Sequence, residues 1–592
     1  MKPSTPILIA AINARHSHAS LGARCLLANM GDLRAQTELA EFTLQQSAAE
    51  IADAIAARQP RLLGLGVYIW NAVRVAELLP LLRENMPHLK IVLGGPETAE
   101  TEHTARQGRL ALPEASQSDC PEVGRTLRVS RAVIPPADSA RPPNPSHSEN
   151  PVHPVQTAVP FDADFLILGE GDIAFPALCR DLLSAPQLPP GGSDPRGLAP
   201  RVNPVRQAPF PDLTSLRLPY DEYTDSDLAQ RILYVESSRG CDMRCDYCVS
   251  ANDASVRFFP MPALLAAFDR LLARGARQFK FCDRSFNLHV PRAIRILSFF
   301  LERAPRNPGL FLHFEMRPDR FPGDLRTLLS RFPPHSLQLE IGIQSFHPRV
   351  LETIRRPQDL ESAAGNLRFL RKHTHAFLHT DLIAGLPGET PDSFAAGFDR
   401  LVALGPHEIQ LGILKKLPGA PIARHDAAFA MRYASTPPYA VHSTRDWPAG
   451  HLARTARFAH WWDAIVSSNR FPAAAPLLWQ DTPSVFGAFM AFSDWMGERF
   501  PREHGIPLAA LVEAVFDYLT QSRRLSPGLA ADALLRGYRH AGARDIPPAL
   551  APHLRRPPPP PLRGLPRSLR RQYLRWTWEE VDPARKDDTL LP

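Results

Sequence analysis

Strand-like apolar runs alternate with helical stretches over the first 184 residues of the chain. The pattern predicts strands at 6–12, 38–43, 61–67, 89–93 and 163–168. It predicts helices between them at 19–29, 47–58 and 73–84. Because largely apolar strands that alternate with helices are typical of parallel sheets covered on both faces, we expect a doubly wound α/β domain here.

A second alternation of strands and helices runs from residue 231 to residue 417. Its predicted strands are 232–236, 278–282, 310–315, 337–342, 376–383 and 408–414. Helices are predicted at 262–274, 291–303 and 393–404. Six successive strand–helix units predict a second parallel arrangement, with its functional residues at the carboxyl ends of the strands.

The pattern becomes helical after residue 418. Helices are predicted at 455–468, 485–498, 508–522 and 527–541. Aromatic residues such as Trp461, Phe489 and Trp495 recur in them at helical spacing, which indicates core and domain-packing residues. We expect a mainly α domain over 418–548.

Three stretches are rich in proline and poor in apolar pattern. We expect a disordered insertion at about 101–159, a linker at 185–230 and a Pro/Arg-rich tail at 549–592. The predicted domains are then 1–184, 231–417 and 418–548.

Composition excludes several classes of protein. A hydrophobic content of 44% and a charged content of 22% fit a soluble globular chain, and no apolar run is long enough to span a membrane. The N-terminus lacks the features of a signal peptide. Seven cysteines, three of them in one short loop, favour a reducing, cytoplasmic setting over a disulfide framework. The net charge of +7 is spread along the chain, so a nucleic-acid partner is not expected.

Cys241, Cys245 and Cys248 form a C-x3-C-x2-C motif directly after the strand predicted at 232–236. Thiolates are the ligands of iron–sulfur clusters, and three of them leave one iron of a 4Fe–4S cluster open for another ligand. A zinc site or three unrelated thiols are the alternatives, although structural zinc usually takes four ligands.

The motif and its position after a strand resemble the radical S-adenosylmethionine (SAM) superfamily. The resemblance implies that the six units form a (β/α)6 partial TIM barrel, and that the open iron binds SAM and reduces it to a 5′-deoxyadenosyl radical. It also implies an electron donor such as flavodoxin or ferredoxin. Cys241, Cys245 and Cys248 would be both the catalytic and the metal-binding residues. By the same resemblance the SAM-binding residues would be Tyr247, Asp283, Glu315, Gln344, Ser345 and Asp381. Each of these could instead be a structural ion pair or cap.

Glycines and polar residues follow the predicted strands of the first domain. Their arrangement resembles the Rossmann-like, flavodoxin-like cobalamin-binding domain that precedes many radical SAM cores. The resemblance implies that cobalamin contacts Asn13, His16, His18, Tyr68, Gly94, Gly95, Glu170 and Gly171. The D-x-H-x-x-G motif that gives cobalt a histidine ligand is absent, so His16 and His18 could equally be loop histidines. A docking module that has lost the cofactor is the alternative for the whole domain.

The expected protein is therefore a radical SAM enzyme that binds a 4Fe–4S cluster, SAM and cobalamin, and that methylates an unactivated carbon of a small or unknown substrate. A cobalamin-binding radical SAM enzyme that performs a rearrangement or oxidation is one alternative. A non-catalytic, cluster-bearing binding protein is another. The sequence carries no readable code for the substrate.

Overall fold

The computed structural model describes residues 6–98, 161–184, 205–253, 255–543 and 545–554. The insertion expected at 101–159, the first part of the linker and nearly all of the tail expected at 549–592 lie outside these described residues.

The first sheet has six parallel strands. In chain order they are β1 (Ile7–Asn13), β2 (Thr37–Thr43), β3 (Leu62–Gly66), β4 (Lys90–Gly94), β5 (Phe165–Leu168) and β6 (Val205–Gln207). They lie in the order β2-β1-β3-β4-β5-β6, which is the flavodoxin-like order with one strand added at the edge. All five predicted strands are present.

Helices cover both faces of this sheet. They are α1 (Leu21–Ala28), α2 (Ala48–Ala56), α3 (Ala72–Asn85) and α4 (Gly171–Ser184). Ile51 of α2 and Val75 of α3 belong to one buried cluster, whereas Leu27 of α1 and Leu178 of α4 belong to another on the opposite face. The doubly wound prediction is therefore confirmed.

Strand β6 lies inside the stretch that was predicted to be a linker. It pairs with β5 at the sheet edge, with Leu166 opposite Val205, and its own side chains are half-buried or exposed. A three-residue edge strand buries too little to leave an apolar run in the sequence. Helix α5 (Asp225–Gln230), with Thr224 as its N-cap, also falls in this stretch.

Ten further strands follow β6 in the described part of the chain. They are β7 (Leu233–Val235), β8 (Ser238–Arg239), β9 (Arg257–Phe258), β10 (Gln278–Phe281), β11 (Phe311–Met316), β12 (Leu337–Gln344), β13 (Phe377–Ala384), β14 (Glu408–Ile413), β15 (Arg432–Tyr433) and β16 (Val441–Ser443). Six of them form an all-parallel sheet in the order β14-β13-β12-β11-β10-β7, as expected for a (β/α)6 partial barrel. Strands β8 with β9 and β15 with β16 form two short antiparallel ribbons.

Eleven α-helices follow α4 among the described residues. After α5 these are α6 (Met261–Ala273), α7 (Val290–Arg303), α8 (Gly323–Leu329), α9 (Pro348–Thr353), α10 (Leu360–His373), α11 (Pro391–Ala403), α12 (Ala449–Trp462), α13 (Val485–Arg499), α14 (Leu508–Asp517) and α15 (Pro527–His540). Thr390 caps α11 by accepting a hydrogen bond from Ser393 N at 3.2 Å, as its place before a helical proline predicts.

The C-terminal helices share one hydrophobic core with the barrel. Phe398 of α11 packs edge-on against Phe458 and Trp462 of α12, with ring centroids 5.2 and 4.7 Å apart. The aromatic residues of these helices are therefore core residues, as their spacing indicates. Among the described residues, no helix combines the length and apolar character needed to cross a membrane.

Candidate functional site

The three cysteines of the C-x3-C-x2-C motif border one cavity at the carboxyl ends of the barrel strands. The cavity has a volume of about 200 Å³. Cys241 and Cys245 are buried and Cys248 is half-buried, and all three are free thiols. Four of the predicted SAM-binding residues line the same cavity: Tyr247, Glu315, Gln344 and Asp381.

The cysteine loop is anchored through Asp246, whose carboxylate is fully buried. Its oxygens accept hydrogen bonds from Arg355 at 2.6 Å and from Arg424 at 3.3 Å, and lie 2.8 Å from Nε2 of His425. Its backbone N–H donates to the carbonyl of Ile354 at 2.9 Å. This anchoring fixes the loop from behind and leaves the thiols directed at the cavity.

Arg356 supports the thiol side of the cavity. Its guanidinium donates to Sγ of Cys245 at 3.5 Å, to the Tyr247 hydroxyl at 3.0 Å and to the carbonyl of Gly342 at 2.6 Å. Hydrogen bonds to the ligand sulfurs are among the contacts that tune iron–sulfur clusters. Arg356, which was not predicted from the sequence, therefore holds the side chain of Tyr247 in place.

Gln344 stands at an irregular point of β12. The register of β12 against β13 shifts between Gly342 and Gln344, and Gln344 has a φ of 69°. A Cβ at Gly342 would collide with the Gln344 amide nitrogen, so the glycine makes room for this side chain. The Oε1 atom of Gln344 is buried and has no hydrogen-bond partner. Strained backbone and an unsatisfied buried acceptor at a cavity indicate a ligand contact.

Charged side chains fill the interior of the barrel below this cavity. Lys280 Nζ lies 3.4 Å from Oε2 of Glu340, and His313 Nε2 lies 2.9 Å from the same oxygen. Burial lowers the pKa of His313 to about 4, so its neutral ring donates to Glu340. Burial and the carboxylate of Glu340 raise the pKa of Glu315 to about 7. Of the three carboxyl groups that line the cavity, those of Glu315, Glu340 and Asp381, the carboxyl of Glu315 therefore titrates near neutral pH.

His379 and Asp381 form a second charged pair in the barrel, 3.3 Å apart between Nε2 and Oδ1. Burial lowers the pKa of His379, but Asp381, Glu408 and Glu340 outweigh it and raise the value to about 9. Nε2 of His379 and Oδ1 of Asp381 have no hydrogen-bond partners, so their contact is an ion pair without a hydrogen bond. Asp381 thus lines the cavity while it interacts with an imidazolium.

Two predicted SAM-binding residues do not line this cavity. Asp283 is buried and accepts hydrogen bonds from the backbone N–H and the hydroxyl of Ser237 and from the hydroxyl of Ser238, at 2.5–2.9 Å. Ser345 is buried and donates to Glu389 at 2.6 Å. Both hold neighbouring loops, so their contact with SAM stays a prediction.

A second cavity of about 460 Å³ lies at the carboxyl ends of the first sheet. Glycines make up much of its wall: Gly22, Gly64, Gly66, Gly94, Gly95, Gly169 and Gly171. Tyr68 and Glu170, also predicted to contact cobalamin, line it too. A wall without side chains lets a broad flat ligand approach the backbone, so this cavity suits a corrin ring.

Asn13, His16 and His18 do not line this second cavity. Asn13 donates to Glu41 at 2.9 Å, and His16 lies 3.4 Å from Arg231. His18 Nδ1 lies 2.7 Å from the hydroxyl of Tyr234 in β7. The loop after β1 turns towards the barrel and forms a bridge between His18 and Ile232. The structure therefore favours the loop-histidine alternative, and a contact with cobalamin stays a prediction.

The wall of the second cavity that faces the barrel is charged. Arg239 pairs with Glu170 at 2.7 Å, with Asp172 at 2.8 Å and with Glu236 at 2.8 Å. Glu170 also pairs with Arg257. Glu170 therefore joins the first domain to the barrel while it borders the cavity, a role that the sequence did not predict.

Arg284 lies where the two cavities meet. Among the described residues, it is the one that lines both of them. It directly follows Asp283 at the carboxyl end of β10, and that position is the sequence signal that could have identified it. Arg356 follows α9 rather than a strand, so its role left no comparable signal.

The arrangement fits a cluster and SAM in the first cavity. The three thiols border it together, and Gln344, whose Oε1 atom has no hydrogen-bond partner, lines it with Glu315 and Asp381. Within the described ranges, no three His, Cys, Asp or Glu side chains are placed to hold a single metal ion.

Comparison with known proteins identifies both domains. Residues 235–401 match the model of the radical SAM superfamily, and residues 7–112 match that of the B12 binding domain. The chain is 25% identical over 507 residues to the cobalamin-dependent radical SAM methyltransferase TokK of Streptomyces tokunonensis, covering 80% of this chain and 63% of TokK. It is 26% identical over 222 residues to the tRNA-2-methylthio-N(6)-dimethylallyladenosine synthase of Mycobacterium ulcerans, covering 34% of this chain and 37% of that protein.

The fold is also shared with a solved structure. The cobalamin-dependent S-adenosylmethionine radical enzyme OxsB with aqua-cobalamin bound has a TM-score of 0.52 and 12% identity, covering 92% of this chain and 80% of OxsB. The chain thus spans less than two thirds of the length of the two curated relatives, while its architecture matches most of OxsB. The two domain matches imply a 4Fe–4S cluster and SAM in the barrel and cobalamin in the first domain. Residues 235–401 of this chain are thus similar to the radical SAM superfamily, and residues 7–112 are similar to the B12 binding domain.

Proposed function

We propose that this protein is a cobalamin-dependent methyltransferase that methylates an unactivated carbon of a substrate. The observation that carries the proposal is the meeting of two cavities: the three thiols border one, the glycine-rich strand ends border the other, and Arg284 lines both. When bound, the cluster supplies the electron that cleaves SAM to a 5′-deoxyadenosyl radical, and cobalamin supplies the methyl group. The similarity to TokK, which is itself a methyltransferase, supports the proposal.

The side chains of the first cavity have distinct tasks in this proposal. Cys241, Cys245 and Cys248 bind three irons, and their free-thiol state fits this role. Gln344 and Asp381 interact with the polar groups of SAM, because a buried acceptor without a partner costs about 1–3 kcal/mol. Their positions on adjacent strands hold SAM at the barrel mouth.

Cleavage of SAM tests the radical part of the proposal. Protein reconstituted anaerobically with iron, sulfide and cobalamin is expected to show cluster and corrin absorption together and to form 5′-deoxyadenosine with dithionite. Replacing the three cysteines by alanine should abolish the cluster bands and the cleavage. Cys179→Ala is the matched control, because Cys179 is a buried free thiol of α4 that lines neither cavity. Cleavage by the triple variant would refute the assignment.

Transfer of a labelled methyl group separates methylation from its alternatives. SAM labelled in its methyl group should give labelled methylcobalamin on the wild-type protein. Cleavage of SAM without methyl transfer to cobalt would favour a rearrangement or oxidation instead. A protein that binds the cluster and neither cleaves SAM nor methylates cobalt would be a binding protein.

We also propose a one-electron donor protein such as flavodoxin or ferredoxin as the partner, because the cluster must be reduced before each cleavage. Six free cysteines among the described residues fit a reducing compartment, so we propose the cytoplasm as the location. Activity with a reduced flavodoxin in place of dithionite tests the partner.

A further inference from the structure

We propose that Arg284 binds an oxyanion of the substrate, a carboxylate or a phosphate, at the junction of the two cavities. The inference rests on the proposed function and adds the chemical class of the substrate. In the proposed reaction, the substrate carbon loses a hydrogen at the barrel mouth and gains a methyl group from the first domain. That carbon must therefore be reachable from both cavities. A substrate group near that carbon therefore meets the residue that both cavities share.

Arg284 is the charged group available there. Its side chain is exposed to the cavity space, and its guanidinium makes no hydrogen bond or ion pair with the described residues. The other arginine on the charged wall, Arg239, is saturated by Glu170, Asp172 and Glu236. Arg284 is thus free for a ligand.

The arginines of the first cavity are also engaged. Arg356 donates to Cys245, Tyr247 and Gly342, and Arg317 pairs with Asp319 at 3.0 Å. Neither can turn to a ligand without giving up these contacts.

The chemistry of a free guanidinium selects the ligand. Its planar fork of N–H groups matches carboxylate and phosphate oxygens in pairs, and an arginine in a partly closed site favours such a partner. The carboxyl group of Glu315 attracts Arg284 without forming an ion pair with it. Because Arg284 forms no ion pair with Glu315, its guanidinium keeps its N–H donors for a substrate anion.

SAM carries a carboxylate too, so the experiment must separate two sources of the same chemistry. Protein loaded with cluster, SAM and cobalamin is titrated anaerobically with inorganic phosphate and with malonate, and binding is measured by calorimetry. In parallel, SAM binding is measured without added anion. The variants are Arg284→Gln, Arg284→Lys and, as control, Arg295→Gln, which removes an exposed arginine of α7 that lines neither cavity.

The expected result is anion binding by the wild type that weakens at least tenfold in Arg284→Gln and less in Arg284→Lys. Arg295→Gln should bind the anions like the wild type, and SAM affinity should be retained in all variants. Anion binding that is absent from the wild type at millimolar concentration, or equal in Arg284→Gln, overturns the proposal. A tenfold loss of SAM affinity in Arg284→Gln also overturns it, by assigning Arg284 to the SAM carboxylate.

The proposed function is judged separately. Wild-type protein that binds the anions through Arg284 and fails to form 5′-deoxyadenosine with dithionite would refute the proposed function and leave the anion site standing. Protein that cleaves SAM but binds the anions equally well without Arg284 would refute the anion site and leave the proposed function standing.

Discussion

Replacing Arg239 by methionine tests the contact between the first domain and the barrel. Arg239 is largely buried and pairs with three carboxylates. Glu170 and Asp172 belong to the first domain, and Glu236 directly follows β7. Glu170 keeps a second partner in Arg257, so the variant leaves Asp172 and Glu236 without their principal counter-charge. Methionine retains most of the apolar stem of arginine, so the change mainly removes charge and hydrogen bonds.

The size of the effect follows from burial. The side chains of Asp172 and Glu236 are 5% and 10% exposed. Removing one partner of such a buried pair costs about 3–5 kcal/mol, because the remaining charge stays away from water. We therefore expect Arg239→Met to lower the free energy of unfolding by about 3–5 kcal/mol near pH 8.

The pH dependence identifies the cause. Burial already raises the pKa of Glu236 above its unfolded value in the wild type, and removing the opposing charge of Arg239 should raise it further. Stability is then present below the unfolded pKa and is lost as the pH rises through the raised pKa. The difference from the wild type should accordingly be smaller near pH 5.5 than near pH 8, since protonation removes about 1.4 kcal/mol per unit of raised pKa.

Urea unfolding of the cofactor-free protein, followed by circular dichroism at both pH values, measures the difference. Arg303→Gln is the control, because its pair with Asp269 is exposed and should contribute at most about 1 kcal/mol. The double variant Arg239→Met, Glu236→Gln should recover part of the loss by removing a stranded charge. A loss of stability that is no larger than in Arg303→Gln, or that is equal at both pH values, would refute the reasoning.

Three further predictions concern single residues near the two cavities. Gly95→Ala should lower the free energy of unfolding in urea by about 1–3 kcal/mol and weaken cobalamin binding. Gly95 has a φ of 102°, and a Cβ there would lie 2.5 Å from the carbonyl oxygen of Val67. An unchanged free energy of unfolding and an unchanged cobalamin affinity would contradict this prediction. Burial raises the pKa of Glu389 from 4.5 to about 8, so its carboxyl contributes stability below pH 4.5 that is lost as the pH rises through about 8. Glu389→Gln should remove the loss of stability between pH 4.5 and about pH 8. The same pH dependence of the free energy of unfolding in variant and wild type would count against this prediction. Arg356→Lys should make the cluster potential more negative in a spectroelectrochemical titration, because the hydrogen bond to Cys245 is weakened; an unchanged potential would rule out that role.

The strands of both sheets could be predicted because burial on both faces leaves a clear signal. All seven residues of β1 are buried, and the six that precede Asn13 are apolar. Strand β6 could not be predicted, since it is short, lies at an edge and buries no side chain completely. The shared core of barrel and C-terminal helices was also beyond the sequence, because helical spacing shows which face is buried and not what covers it.

The grouping of the three cysteines around one cavity could be predicted because they are close in sequence. Asn13, His16 and His18 were predicted to contact cobalamin, and they lie at the carboxyl end of β1, where a ligand site is expected. In the structure these side chains contact Glu41, Arg231 and the hydroxyl of Tyr234. The direction of a loop depends on the partner it meets, and nothing in the local sequence specifies the bridge to Ile232.

The interior of the barrel carries a sequence signal that is clear once the strands are known. In β12, Leu339 and Ile341 face the hydrophobic core, whereas Glu340 and Gln344 face the interior. A strand covered by helices has no solvent face, so polar residues with a period of two must line an enclosed polar space. The same alternation in β10, β11 and β13 places Lys280, His313, Glu315, His379 and Asp381 there. Buried polar groups on this scale are costly unless they are paired, and several of these atoms lack hydrogen-bond partners. The barrel therefore maintains an interior with unused hydrogen-bonding capacity, as the proposed SAM site requires, and the thiols and Arg284 line the cavity at its mouth.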